Sequence, residues 1–348
     1  MADFTQDLLG WYTINKRNLP WRRTNDSYAI WLSEIILQQT RIDQGLSYYL
    51  KFIKKYPTVT DFAQADEDDI LKLWQGLGYY SRARNMHSAA RTIVQEYEGK
   101  FPSGYQELLK LKGIGEYTAA AIASISGSQP HAVVDGNVYR VLSRLFGITT
   151  PIDSNTGKKE FTKLANTLIP SRNPGEYNQA LMEFGALFCT PKNPDCPRCI
   201  FNDRCIACHT SMVNKLPVKS GKQKIRIRYF NYLVIQNNET TYMKKRTGND
   251  IWKNLYEFPL IETQEKSEMT SMEKQLLLFF DHQKIKIERL TSWKKQVLSH
   301  QHIYYRFIYI VANDKKNMLS NLLKVNKKDI FNFAVPKPIE RELEDINW

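Results

Sequence analysis

The sequence predicts two domains of different class, an all-α body over its first two thirds and a smaller α+β domain after it. Three observations carry this. From Asp3 to about Ala186 apolar residues recur every three to four positions, as in Tyr28 to Tyr49, Ala89 to Tyr97, Tyr105 to Leu111 and Tyr117 to Ser126. That is the period at which one stripe of a helix faces a core. Past residue 228 the pattern turns to β-rich runs, Tyr229 to Ile235 and His302 to Val311, around one helical stretch near Met269 to His282. Between the two regions, Lys215 to Arg228 carries six cations and no acid, with Pro217 and Gly221 inside it, and reads as a basic interdomain linker.

Length and composition agree with this division. At roughly 100–200 residues per domain, a chain of 348 suggests two. With 42% hydrophobic and 12% aromatic residues it can build real cores, which excludes wholesale disorder. Pro57, Pro102, Pro130, Pro151 and Pro170 fall between the helical segments, where a missing N–H does least harm. Lys and Arg number 49 against 36 Asp and Glu, a net charge of +13. Such a charge favours a polyanionic partner, because basic side chains displace counterions; composition alone leaves nucleic acid and an anionic membrane open. No apolar run approaches the roughly 20 residues that cross a bilayer, and the first residues lack a signal peptide's basic head and apolar core. A soluble intracellular protein is expected, cytoplasmic and without a membrane partner.

All five cysteines lie between Cys189 and Cys208. Cys189, Cys196, Cys199 and Cys205 leave six, two and five residues between them, in a loop stiffened by Pro191, Pro194 and Pro197. Four thiolates so close together bind either an iron–sulfur cluster or zinc. Cys208 falls outside the pattern as a spare thiol, with His209 a surface residue beside it.

Three further motifs have both a functional and a structural reading. Leu111-Lys112-Gly113-Ile114-Gly115-Glu116-Tyr117 puts two glycines between helices, which suits close approach of backbone to phosphate or simply an interhelical turn. Asp135 ends the apolar run Val133-Val134 just before Gly136-Asn137, as a helix cap or as a catalytic carboxylate. Glu34 interrupts the apolar stretch Ala29 to Leu37. A carboxylate there must be salt-bridged, hydrogen-bonded or protonated, and a protonated one is a general acid near neutral pH.

Together the cysteine spacing, the Gly-x-Gly turn and the following aspartate resemble the endonuclease III superfamily of helix-hairpin-helix DNA glycosylases, over roughly residues 10 to 210. The run Ser33-Glu34-Ile35-Ile36-Leu37-Gln38-Gln39-Thr40 is similar to the signature of its adenine-specific branch; endonuclease III itself has no glutamate equivalent to Glu34. Tyr117 stands where the lyases of the superfamily carry a Schiff-base lysine, which closes that route. Residues 229–348 resemble the Nudix-like (MutT-like) domain of the same branch, with Trp252 to Pro259 matching its Trp-x-x-x-x-Glu-Phe-Pro stretch and no acidic metal box between Ile261 and Glu273.

The resemblance implies a helical glycosylase domain over 1–212 with a helix-hairpin-helix near 105–126 and a 4Fe–4S loop at 189–205, a linker at 213–228, and a MutT-like domain over 229–348. It implies a base excision repair enzyme, a monofunctional DNA glycosylase that flips and hydrolytically removes adenine opposite 8-oxoguanine or guanine. Its partner would be double-stranded DNA holding that mispair, with the protein a nucleoid-associated monomer. Glu34 would be the acid and Asp135 the ionised carboxylate, with Asn137 orienting Asp135 and Tyr117 over the flipped nucleoside. Trp21, Arg22 and Glu183 would form the adenine pocket. Gln39 and Thr40 would fill the gap in the duplex, Leu77 and Tyr79 would wedge beside it, and Gly113 and Gly115 would meet phosphate. Ser299 and His300, in Leu298-Ser299-His300, would read 8-oxoguanine, although the family usually has Phe-Ser-His there. Cys189, Cys196, Cys199 and Cys205 would hold the cluster, and Arg198 and Arg204 would contact phosphate or remain solvated charges. Two rivals are an endonuclease III-like bifunctional glycosylase/lyase and a non-catalytic iron–sulfur DNA-binding protein.

Overall fold

The computed structural model describes residues 2–221, 225–283, 285–311, 319 and 321–346. By their contacts these fall into two units, one of residues up to 64 with 85–221, the other of 65–84 with 222–348. Among the described residues, no helix is long and apolar enough to cross a membrane.

The first unit is helical. Its elements are α1 (Ala2–Asn15), α2 (Ser27–Leu37), α3 (Ile42–Lys55) and α4 (Val59–Gln64). α5 (Glu67–Trp74) belongs to the second unit, and α6 (Ser81–Glu96) begins at its boundary. Then come α7 (Tyr105–Leu108), α8 (Glu116–Ile125), α9 (Gly136–Phe146), α10 (Asn155–Leu168), α11 (Pro174–Leu187) and α12 (Ile206–His209). Local chemistry starts and stops these helices. Asp26 caps α2 by accepting from the amides of Tyr28 and Ala29, Ser154 caps α10, and Gly147, at φ +66°, ends α9 in the left-handed region. α1, α9, α10 and α11 share one core that includes Leu8, Leu142, Phe161 and Phe184.

Two expectations change in detail. The periodic stretch from Tyr28 to Tyr49 is two helices, broken at Gln38 to Arg41 where Gln39 takes φ +56°. The hairpin near 105–126 has a first helix of a single turn, α7, before α8. The stretch expected as a linker is held to the helical unit as far as Ser220. Arg144 donates to the carbonyls of Val213 and Leu216, Ile152 N–H donates to Val218 O, and Asp153 accepts from Ser220. Lys222 and Lys224 of that stretch lie outside the described residues.

The second unit is a mixed sheet with α13 (Met269–Phe279) and α14 (Lys337–Asp345). Its strands are β1 (Arg226–Asn237), β2 (Thr240–Lys245), β3 (Tyr256–Glu257), β4 (Leu260–Thr263), β5 (Lys286–Leu290), β6 (Lys294–Val297), β7 (Gln301–Val311) and β8 (Leu323–Asn326). The path runs β3-β2-β1-β7-β5, with β4 on β1, β6 on β7 and β8 on β2. β1 and β7 pair in parallel, from Arg226 opposite Gln301 to Gln236 opposite Val311. Both are buried on their two faces, so they read as near-continuous apolar runs rather than alternating ones. α13 packs Met272 and Leu276, with Phe280 just past its end, on one face against Leu233, Ile235, Ile308 and Ile310. α14 packs Ile339 and Leu343 with Phe230, Tyr232 and Phe307 on the other.

Residues 65–84 are stitched into this unit. Lys72 Nζ donates to Phe333 O at 3.1 Å, Gln75 Nε2 to Glu340 Oε1 at 2.9 Å, and Arg84 Nη1 to Lys253 O at 2.8 Å.

Candidate active site

Glu34 is the one carboxylate on α2, a helix whose other positions from Tyr28 to Ile36 are all buried. In the first turn of α8, the Tyr117 hydroxyl donates to Glu34 Oε2 at 2.8 Å and lies 3.5 Å from Met182 Sδ. Asp135 is the N-cap of α9, so its structural and functional readings coincide in one residue. Its Oδ1 accepts from the amides of Asn137 (2.8 Å) and Val138 (2.7 Å), and its Oδ2 from Asn137 Nδ2 (2.8 Å). The Asn137 side-chain oxygen in turn accepts from Arg140 Nη2 at 2.8 Å, which fixes the way the amide faces. Arg140, buried in the wall, also donates to the carbonyls of Gly185 and Cys189 at 2.7 Å each.

Glu34, Tyr117, Asp135 and Asn137 line one cleft of about 600 Å³ together with Trp21, Arg22, Thr40 and Glu183. Burial pushes Glu34 up to about 7; the Tyr117 hydrogen bond opposes this, the Asp135 charge adds to it and Arg22 opposes it. Burial also raises Asp135, against the hydrogen bonds of Val138 and Asn137 and the charge of Arg140. Burial raises Tyr117 well above its ordinary value, so it stays a neutral donor. One carboxyl is thus kept near its titration point while the other is surrounded by donors that favour its ionised form.

Glu183 is 1% exposed and its oxygens are already engaged. Oε1 accepts from Arg17 N, Arg17 Nε and Arg22 Nη1, and Oε2 from Arg17 Nη2 and Arg22 Nη2. Burial pushes this carboxyl up, but the two guanidinium groups outweigh it and hold it at about 2. Glu183 therefore positions Arg22 at the cleft wall. Sequence reasoning missed Arg17 and Arg140. Arg140 had a faint signal, three residues after Asn137 on one helix face; Arg17 had none, since only the folded chain brings it to Glu183.

Gln39 is exposed and Thr40 lines the cleft. Gly113 sits at φ +82°, and a Cβ there would come 2.7 Å from Asn85 Cβ; Gly115, the N-cap of α8, has no atom within 4 Å of such a Cβ. Gly113→Ala is therefore expected to lose about 1–2 kcal/mol from the left-handed backbone alone. Gly115→Ala, at an extended N-cap with open space around it, should lose less, about 0.5 kcal/mol; thermal unfolding of the two variants checks this.

Leu77, Tyr79, Ser299 and His300 line a separate cleft of about 570 Å³ within the second unit. Gly76, Gly78 and Tyr79 all take positive φ (98°, 69° and 45°), and Arg82 Nη2 donates to the carbonyls of Leu77 and Gly78. Tyr79 is 44% exposed on this loop, whereas Leu77 is buried. Ser299 and His300 form the turn between β6 and β7, with Ser299 Oγ 3.3 Å from His300 Nδ1.

Cys189, Cys196, Cys199 and Cys205 line one small cavity walled by Phe188, Pro194 and Val213, and none is in a disulfide. Arg144 Nη1 donates to Cys189 Sγ and the Phe201 amide to Cys199 Sγ, both at 3.4 Å. Among the described residues, no three His, Cys, Asp or Glu side chains gather as they would around a single metal ion. Thiols spread around an apolar cavity, with N–H donors aimed at sulfur, fit a cluster whose irons each take one cysteine. Arg198 pairs with Asp195 and Arg204 with Asp7.

Residues 32–169 match the HhH-GPD superfamily of base excision DNA repair proteins, and residues 231–345 match the NUDIX domain. An adenine DNA glycosylase of Buchnera aphidicola subsp. Schizaphis graminum is 36% identical over 347 residues, with 98% of each chain covered. The chain belongs to the adenine DNA glycosylase family. Glu34, Tyr117 and Asp135 lie within the HhH-GPD match and Ser299 within the NUDIX match. Among solved structures it is similar to a thermostable thymine-DNA glycosylase (31% identity, TM-score 0.56), which aligns over 60% of this chain and 96% of that one. An endonuclease III–DNA complex aligns over 61% and 96% at TM-score 0.53; at 21% identity it shows the shared fold.

Proposed function

We propose that the protein is a monofunctional adenine DNA glycosylase that hydrolyses the N-glycosidic bond of adenine opposite 8-oxoguanine or guanine in duplex DNA. The observation that carries this reading is the convergence of Glu34 and Asp135 on one cleft, the first near neutral pKa and the second ringed by donors. Expelling a purine through an oxocarbenium-like transition state calls for two carboxyl groups in opposite protonation states. Glu34, protonated, gives its proton to N7 of the flipped adenine, and Asp135, ionised, stabilises charge developing at C1′. Asn137, fixed by Arg140, holds Asp135 in line, and Tyr117 keeps the Glu34 carboxyl oriented from above the nucleoside. Trp21 and Arg22 bound the base. Among the described residues lining the cleft there is no lysine, which supports hydrolysis over Schiff-base chemistry.

DNA engagement follows the same reading. The Gly113–Gly115 turn meets phosphate, Gln39 and Thr40 enter the vacated space, and Leu77 and Tyr79 wedge the stack. Ser299 and His300 read the opposite base from the second domain, 229–348. The protein acts as a monomer on nucleoid DNA in the cytoplasm. A 4Fe–4S cluster on Cys189, Cys196, Cys199 and Cys205 orders the loop that carries Arg198 and Arg204; hydrolysis requires no electron from it.

The test offers the full chain duplexes with adenine opposite 8-oxoguanine, guanine or thymine and scores alkali-labile breaks in the adenine strand. Breaks are expected for the first two. Ser299→Ala should keep excision and narrow the preference for 8-oxoguanine over guanine. A covalent adduct trapped by borohydride would replace this reading with the lyase one.

The pH dependence has a defined sign. Glu34 acts in its acid form, so single-turnover excision should fall as pH rises through about 7. Asp135 acts ionised, so the rate should also fall at the acid end, giving a bell. Quenched-flow rates across this range check it.

A further inference from the structure

The cysteine loop holds one thiol more than a four-iron cluster uses. Cys208 lines the same cavity as the other four cysteines. It sits on α12, where its N–H donates to Cys205 O at 3.1 Å, and this turn carries its side chain toward the cavity while His209 beside it stays exposed. Cys196 lines the same cavity. Asn202 braces the pair, donating through Nδ2 to Cys196 O at 2.7 Å and lying 3.7 Å from Cys208 Sγ. In the sequence the arrangement is two Cys-x-x-Cys units, Cys196-Pro-Arg-Cys199 and Cys205-Ile-Ala-Cys208. The loop therefore contains two overlapping sets of four thiols, which share Cys189, Cys199 and Cys205 and differ in whether Cys196 or Cys208 completes them.

We infer that Cys208 is a reserve ligand for the iron that Cys196 holds, taking that corner whenever the Cys196–iron bond opens. The inference rests on the reading that the loop carries a 4Fe–4S cluster. The exchange balances without a redox step. One iron–sulfur bond to Cys196 breaks and one to Cys208 forms, and the proton lost by the Cys208 thiol is taken up by the Cys196 thiolate beside it. A cluster sheds iron through transient loss of a ligand. A second thiol tethered in the same cavity competes for the open corner at an effective concentration of millimolar or more, well ahead of a free thiol or chelator. The consequence is a cluster that survives loss or oxidation of Cys196, but not loss of both thiols.

The experiment uses the full chain, purified without oxygen, with iron per chain and the visible sulfur-to-iron absorption as readouts. Cys208→Ala should load like the wild type. Cys196→Ala should keep its iron to within about two-fold, and the Cys196→Ala/Cys208→Ala double variant should fall to about a tenth or less. Equal losses from Cys196→Ala and the double variant overturn the inference. In case Cys196→Ala does not fold, bleaching of the wild type and Cys208→Ala by an iron chelator is compared. Both keep all four primary ligands, and Cys208→Ala should bleach about tenfold faster; equal rates overturn the inference. A wild-type chain that binds no iron overturns the cluster reading along with it, and differs from the other failures because no variant then departs from the wild type.

Discussion

Replacing Glu34 by glutamine is expected to lower single-turnover adenine excision by about 10²–10⁴-fold while duplex affinity stays near that of the parent. The amide has the shape of the acid and can still accept from the Tyr117 hydroxyl, so the wall of the cleft is kept and only the transferable proton is lost. A second readout moves the other way. The folded protein raises this carboxyl from 4.5 to about 7, so the native state binds a proton more tightly than the unfolded chain. Wild-type stability should therefore decline as pH climbs between those values and stay reduced above them. Glu34→Gln has no such group, so above neutral pH it should melt higher than the wild type. Loss of turnover together with a gain in melting temperature is the signature of a buried acid retained for chemistry. Excision within a few-fold of wild type would remove Glu34 from the proton-donor role.

Asp135→Asn is expected to reduce excision by a comparable factor with a modest loss of stability, because the nitrogen that replaces Oδ2 meets the Asn137 Nδ2 donor that Arg140 holds in place. Asparagine caps helices about as well as aspartate, so it can go on accepting from the amides of Asn137 and Val138. What it lacks is the negative charge. Asp135→Ala removes charge and cap together and should also lose about 1 kcal/mol of stability. Comparing denaturation midpoints with single-turnover rates separates the two functions of this residue. An Asp135→Asn chain that excises normally would leave Asp135 a cap and nothing more.

How far the sequence was legible depended on whether the signal was local. Glu34 could be picked out because a carboxylate in an otherwise apolar helix requires an explanation, and Asp135 because a cap residue stood at the end of an apolar run. The break after Leu37 could not. It contains no glycine or proline, and Gln39 takes φ +56° because the chain must turn from α2 into α3. Arg17 was invisible, and Arg140 only faintly signalled, for a related reason. A basic residue becomes informative only once its acceptor is known, and the Glu183 that saturates Arg17 lies 166 positions away. The start of the basic stretch looked like free linker because the groups that hold it, Arg144 and Asp153, are supplied by distant parts of the fold.

The stitching of residues 65–84 into the sheet unit bears on any attempt to dissect the protein by truncation. Cutting the chain after Gly221 would remove more than the Ser299 turn. It would strip Lys72, Gln75 and Arg84 of their acceptors in Phe333, Glu340 and Lys253, and leave the segment that presents Leu77 and Tyr79 without its scaffold. A shortened enzyme that loses selectivity would thus have two lesions at once, and point substitutions in the intact chain are the way to assign them.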